Sequence, residues 1–297
     1  MENESLIIRY IETTGRCNLN CPICVDRVRN YDMSLEDLYN IIGANKDILY
    51  GNRTWLDFNG EPLIDSSFFE KVKMLKEVGV IPMISTNGLM LNDENCKKLV
   101  LSGIDYLVVS ISTLDHKLYH KMRGIDAHRI VIENIKKLKQ YTDMYHSQMQ
   151  IQAVAIDTGN LDVNSFVDYF HSLSIHAAVH NYTNRSMHSQ MFFEVAHKKI
   201  ERGQCIDLRQ NIGILCDLNI VTCCCDFMGD NSLGNLRDYN YSVEKLIANG
   251  KLDQLLDKLK RHIYEGACEN CSDWIYHQAS SEEEYVTVYP LPGSNIR

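Results

Sequence analysis

Up to about residue 182 the chain switches repeatedly between a hydrophobic period of two and a period near 3.6, the patterns of strands and of amphipathic helices. Residues 6–12 read as a strand. Ser34-Leu35-Glu36-Asp37 has the form of a capping box, and Leu35, Leu38, Ile41 and Ile42 make the apolar face of the helix it opens. Residues 54–58 are a second strand, with Phe68, Val72 and Leu75 marking the next helix. Residues 80–84 are a third, before a helix around 96–101. Residues 106–111 are a fourth, with Ile132, Ile135 and Leu138 in its helix. Residues 151–156 are a fifth, followed by Phe166, Tyr169 and Phe170 on a helix, and residues 175–179 are a sixth. Regular β–α alternation implies parallel strands joined by right-handed crossovers. Six units are too few for the closed eight-fold barrel of about 250 residues. An α/β partial (β/α)6 barrel or a doubly wound sheet fits, and either places its chemistry at the carboxyl ends of the strands.

Near residue 186 the rhythm breaks. A short helix is expected over 193–200, a hairpin over 212–215 and 220–222, and a helix over 243–263. The pattern divides the chain into a barrel at 1–185, a linker at 186–204, a small Cys-rich domain at 205–275 and a tail at 276–297. No internal repeat is present.

Composition narrows the functional classes. The chain has 297 residues, a net charge of -9 and no Lys/Arg-rich block, which argues against a nucleic-acid surface. No apolar run reaches the ~18 residues of a membrane span. Met1-Glu2-Asn3-Glu4 does not read as a secretory signal, so a cytoplasmic setting with reduced thiols is expected. That matters because there are 11 cysteines, and nine fall in three short groups: Cys17/Cys21/Cys24, Cys216/Cys223/Cys224/Cys225 and Cys268/Cys271. With disulfides disfavoured, metal ligation or catalysis ranks first.

Cys17, Cys21 and Cys24, directly after the first strand, can bind three irons of a [4Fe–4S] cube and leave one iron open; a zinc site is the rival. Cys205, Cys223, Cys268 and Cys271 supply four thiolates with 17 and 44 residues between the first three. That set suits a fully protein-ligated [4Fe–4S] cluster or a structural zinc, and spacing alone does not decide. His116 and His120 share a helical face without a third ligand pattern. The acidic stretch 280–285 reads as a solvated segment.

The cysteine loop keeps specific company. The second strand runs into Phe58-Asn59-Gly60-Glu61-Pro62-Leu63, the third ends in Ser85-Thr86-Asn87-Gly88, the fourth in Ser110-Ile111-Ser112, and Met122-Arg123-Gly124 follows. This combination resembles the radical S-adenosylmethionine (SAM) superfamily. The resemblance implies a partial (β/α)6 barrel in which Cys17, Cys21 and Cys24 hold the cluster and its open iron binds SAM. Gly60, Glu61 and Pro62 would receive the methionine amino group. Ser85, Asn87 and Ser110 would lie near the ribose or methionine, and Arg123 near the SAM carboxylate. A flavodoxin- or ferredoxin-type protein would supply electrons.

Residues 219–227 and 233–236 resemble the auxiliary-cluster extensions of this superfamily, SPASM and its shorter form, twitch. That implies a second [4Fe–4S] cluster on Cys205, Cys223, Cys268 and Cys271. The gap pattern looks like the twitch dehydrogenase of butirosin biosynthesis, which oxidises an aminocyclitol alcohol. Asn184-Arg185 matches its substrate-contacting arginine, although Ser186 and Met187 stand where that enzyme has glycines. The expected function is oxidation of a sugar or aminocyclitol alcohol. The rivals are a radical epimerase of a glycoside or peptide residue, with Cys224 or Cys225 as hydrogen donor, a peptide cross-linking enzyme, and a non-enzymatic zinc protein.

Overall fold

The computed structural model describes residues 6–183, 202, 205, 208, 210–274 and 286–292. The helix expected at 193–200, Asn184 and Arg185, and the acidic stretch at 280–285 lie outside the described residues.

In chain order the elements are β1 (Ile8–Ile11), α1 (Leu35–Ala44), the single turn α2 (Lys46–Leu49), β2 (Arg53–Trp55), α3 (Phe68–Glu77), β3 (Ile81–Thr86), α4 (Asp93–Ser102), β4 (Tyr106–Ser112), α5 (His116–Arg123), α6 (His128–Met144), β5 (Gln150–Asp157), α7 (Val163–Ser172) and β6 (His176–Asn181). After them come β7 (Ile212–Ile214), β8 (Asn219–Val221), β9 (Gly234–Asn235), α8 (Val243–Ile247), α9 (Lys251–Lys260) and β10 (Val286–Tyr289). The first six strands pair in parallel and in sequence order. Side chains start the helices as the sequence pattern requires: Ser34 accepts the Asp37 N–H at 3.0 Å, and Asn92 accepts that of Asn95 at 2.9 Å.

The cysteine-rich segment continues the same sheet. β7 pairs in parallel with the free edge of β1, and β8 and β9 add antiparallel strands beyond it. At the opposite edge β10, which the period reading leaves within a tail, pairs antiparallel with β6. The ten-stranded order is β10-β6-β5-β4-β3-β2-β1-β7-β8-β9.

Two expected elements differ. The second strand is shorter than 54–58: Leu56 N–H still reaches Met83 O at 2.8 Å, but Asn59 N–H is drawn to Glu12 at 3.2 Å and the chain turns. The helix expected over 243–263 is two helices, because Gly250 takes a left-handed φ of 80° between α8 and α9.

The sheet's two faces do different work. Leu107, Val109, Ile111, Ile151, Ala153, Ala155, Ala177 and Val179 lie in the main core. Their neighbours Tyr106, Val108, Ser110, Gln152, Val154 and His180 line a cavity on the opposite face. The period-two pleat of β4 to β6 thus sends alternate residues to core and cavity. Among the described residues no helix is long and apolar enough to cross a membrane.

Candidate active site

The loop after β1 is built before it carries cysteines. Met33 N–H bonds Thr13 O at 2.9 Å and Gly15 N–H bonds Tyr31 O at 3.0 Å, so residues 13–33 close on themselves. Arg16 and Asp32 pair across the neck. Inside the loop, Leu19, Cys21 and Ile23 bury against Met122 and Tyr182. The turn after β2 then meets the loop at close range. Glu61 N–H bonds Arg16 O at 2.7 Å, and a Cβ on Gly60 would stand 2.1 Å from Thr14 O. Only glycine admits that approach.

Cys17, Cys21 and Cys24 share a wall of one cavity of about 560 Å³. Each sulfur has a polar neighbour: Asn87 Nδ2 donates to Cys17 Sγ at 3.9 Å, Arg123 Nη1 to Cys21 Sγ at 3.9 Å, and the Cys24 thiol to Asn59 Oδ1 at 3.8 Å. Burial pushes the Cys17 thiol above its ordinary pKa. Three thiols on one wall with guanidinium and amide N–H groups beside two of them fit an iron–sulfur cluster.

The same cavity collects Gly60, Glu61, Ser85, Asn87, Ser110 and Arg123. Pro62 is buried behind it, opening a short 3-10 turn. Glu61 braces the cavity: its carboxylate accepts Asn87 N–H at 2.7 Å, Thr86 Oγ1 at 2.8 Å and Leu63 N–H at 3.3 Å. Burial outweighs these donors and pushes its pKa up to about 7. Arg123 donates through Nη2 to Ser110 O and, at 2.7 Å, to Ser112 Oγ. Ser112 holds a left-handed φ of 70° where β4 bulges. The buried Nε of Arg123 has no partner among the described residues. An unpaired guanidinium N–H beside a cluster cysteine suits the carboxylate of SAM.

The second cysteine set surrounds a smaller cavity of about 40 Å³, lined by Cys205, Cys223, Cys268 and Cys271. Burial pushes Cys205 up to about 12, with Cys223 and Cys268 adding repulsion, and pushes Cys268 up to about 11. Four thiols this hard to ionise together fit a cation placed among them. Asn231 Nδ2 donates to Cys268 Sγ at 3.3 Å. Cys223, Cys224 and Cys225 bring their sulfurs within 4.8 Å of one another. Cys224 and Cys225 line the large cavity, and Cys224 together with Asp273 lines both.

The leftover cysteines separate cleanly. Cys96 is buried in the helix layer on α4, and Cys216 packs in the core with its N–H on Glu12 at 3.0 Å. His116 bonds Asp126 at 2.5 Å. The sequence reading missed Glu12, Asp57, Gln152, His180 and Asp273. Glu12 is fully buried; it pairs with Arg29 at 2.9 Å and also accepts Asn59 N–H and Cys216 N–H. Arg29 in turn reaches Phe227 O at 2.5 Å, which ties the first cysteine loop to the second cysteine region. For Gln152 the alternation along its own strand points inward and could have signalled the cavity.

Residues 11–146 match the Radical SAM superfamily. An uncharacterized protein of Methanocaldococcus jannaschii is 26% identical over 217 residues, 71% of this chain and 66% of that protein. Other curated relatives are matched over less than half of their own length. The crystal structure of BtrN in complex with AdoMet and 2-DOIA superposes with a TM-score of 0.64 at 18% identity, covering 97% of this chain and 100% of that one. Streptococcus suis SuiB bound to precursor peptide SuiA gives 0.63 at 17% identity, covering 82% and 67%. At such identities the likeness is one of fold. Residues 11–146 carry the match to the Radical SAM superfamily, and the chain as a whole has the radical SAM fold.

Proposed function

We infer that this enzyme removes a hydrogen atom from a polar small molecule and oxidises its alcohol carbon to a ketone, a sugar or aminocyclitol being the substrate class. The observation that carries the reading is the wall shared by the two cavities: Cys224 and Asp273 face both. When bound, SAM with the cluster on Cys17, Cys21 and Cys24 supplies the hydrogen-atom acceptor, and a second [4Fe–4S] cluster on Cys205, Cys223, Cys268 and Cys271 supplies an electron acceptor. The chain's own residues do the rest. Asn59, Asn87 and Arg123 orient the first cysteine group. Trp55, Tyr106, Val108 and Val154 form an apolar floor that limits water. BtrN, which shares this fold, was solved in complex with AdoMet and 2-DOIA, and this supports a small-molecule substrate. Arg185 as a substrate contact and a flavodoxin- or ferredoxin-type electron donor in a cytoplasmic setting belong to the same reading.

A second reading rests on one observation. Cys224 and Cys225 line the large cavity, where a thiol hydrogen could quench a carbon radical and invert its centre. One experiment separates the two. Anaerobic reconstitution is expected to give about eight irons per chain, and about four after Cys268 and Cys271 are both replaced by Ala. Turnover in D2O with aminocyclitols and hexoses is then expected to give 5′-deoxyadenosine and an unlabelled ketone. A wild-type chain with only about four irons overturns the two-cluster reading. An epimer carrying solvent deuterium selects the second.

A further inference from the structure

Asp57 is an acidic group of the large cavity that neither cysteine site accounts for. It stands two residues beyond Trp55 of β2, and both face the cavity. Its Oδ1 accepts the backbone N–H of Ser85 on β3 at 2.7 Å, which fixes the carboxylate at the carboxyl end of the sheet. Among the described residues Asp57 forms no ion pair. The cavity's two guanidinium groups bond other partners, Arg123 to Ser110 and Ser112 and Arg27 to the Leu19 carbonyl, and neither is among the main charges acting on Asp57. The charges acting on Asp57 are Glu61, in the turn after β2, and Glu12, just past β1. Tyr10 of β1 lies within electrostatic reach of Asp57 and also of Cys224 and Cys225. A carboxylate held in place, facing a substrate-sized cavity and lacking a counter-charge, has the properties of a proton acceptor.

We propose that Asp57 takes the hydroxyl proton of the substrate during alcohol oxidation. The assignment rests on the dehydrogenase reading and completes its balance. The carbinol C–H bond gives a hydrogen atom to the 5′-deoxyadenosyl radical, forming 5′-deoxyadenosine. The O–H bond gives its proton to the Asp57 carboxylate. The remaining electron goes to the auxiliary iron–sulfur acceptor, and the carbon–oxygen double bond forms. Burial, with Glu61 and Glu12 nearby, pushes the Asp57 carboxyl up to about 7 against the Ser85 donor that pulls it down. A base whose pKa lies near the working pH combines availability with driving force.

The test uses the reconstituted full chain, D57N and D57E. An infrared pH titration of wild type against D57N is expected to show a carboxylic acid C=O band that titrates near 7 and is missing from the variant. Titration in the ordinary range, about 4, overturns the proposal. In turnover with SAM, dithionite and a panel of aminocyclitols and hexoses, D57N is expected to form ketone at least about 100-fold more slowly and to lose the acid limb of the kcat profile, with D57E recovering part. Unchanged ketone formation and an unchanged pH profile in D57N overturn the assignment and leave the dehydrogenase intact. A solvent-labelled epimer without ketone overturns the dehydrogenase reading and the assignment with it. A panel in which no member reacts overturns the sugar and aminocyclitol reading, and the assignment with it.

Discussion

Single residues set the clearances of the site. At Gly60, a methyl group would collide with two backbone carbonyls, Thr14 O at 2.1 Å and Arg16 O at 2.6 Å, neither of which can rotate away. Gly60→Ala is therefore expected to cost about 2–3 kcal/mol by overpacking and to weaken iron incorporation, measured by urea unfolding and iron content. Asp57 and Glu61 carry a second prediction. Both have folded-state pKa values of about 7, above the 3.8 and 4.5 of the free groups. The folded chain holds these protons more tightly than the unfolded chain, so ionising them destabilises the fold. In the metal-free protein, stability from these groups is expected to fall as pH rises from about 4 to 7, and D57N should flatten the slope in denaturant midpoints taken across that range. Arg123 entered through the family resemblance, and the structure places it on the cavity wall. Asp57 was not legible, because a lone aspartate at a strand end looks the same in sequence whether its neighbours are solvent or a cavity wall.

At the scale of elements, α3 is locked to the cysteine loop by a buried pair. Lys71 Nζ meets Asp65 Oδ2 at 2.6 Å and Thr13 O at 3.0 Å, with both side chains fully buried. Lys71→Ala leaves Asp65 as an unpaired buried charge and is expected to cost about 3–5 kcal/mol, readable as a lower urea midpoint. The Glu12–Arg29 pair joins elements farther apart in sequence, because Glu12 accepts Cys216 N–H and Arg29 reaches Phe227 O. Arg29→Ala is expected to impair both cysteine regions at once, seen as lower iron content than either cysteine group removed alone. The barrel's β–α rhythm was readable because period and capping residues agree along it. Ser34 does cap α1, and strands three to six fall where alternation puts them. The failures share a cause: the end of β2 and the break between α8 and α9 are set by tertiary contacts and by one glycine's φ. β10 is four residues long and takes its identity from pairing with β6, which no local pattern records.

For the whole molecule, the sheet is the organising unit. Its β6 edge is covered by β10 through four paired positions. Removing residues 286–297 is expected to expose that edge and promote self-association, which light scattering at rising concentration would detect; a molar mass per chain unchanged from that of the full chain would show that β10 does not protect it. The cysteine groupings anticipated which thiols line each of the two cavities, because thiol spacing is a one-dimensional signal. The wall they share was not, since Cys224 and Asp273 meet only through the chain's return to β1.

That return has a consequence for the spacing of the two thiol groups. β1 launches the loop of Cys17, Cys21 and Cys24, and its hydrogen-bonded neighbour β7 pairs in turn with β8, after which the chain runs into Cys223 to Cys225. Adjacent strands sit about 4.8 Å apart and barely stretch. The pairing of Tyr10 with Gly213 and of Ile11 with Ile214 therefore acts as a ruler. The spacing of the two thiol groups is thus set by a ladder of backbone hydrogen bonds together with the short loops that carry the sulfurs beyond its ends.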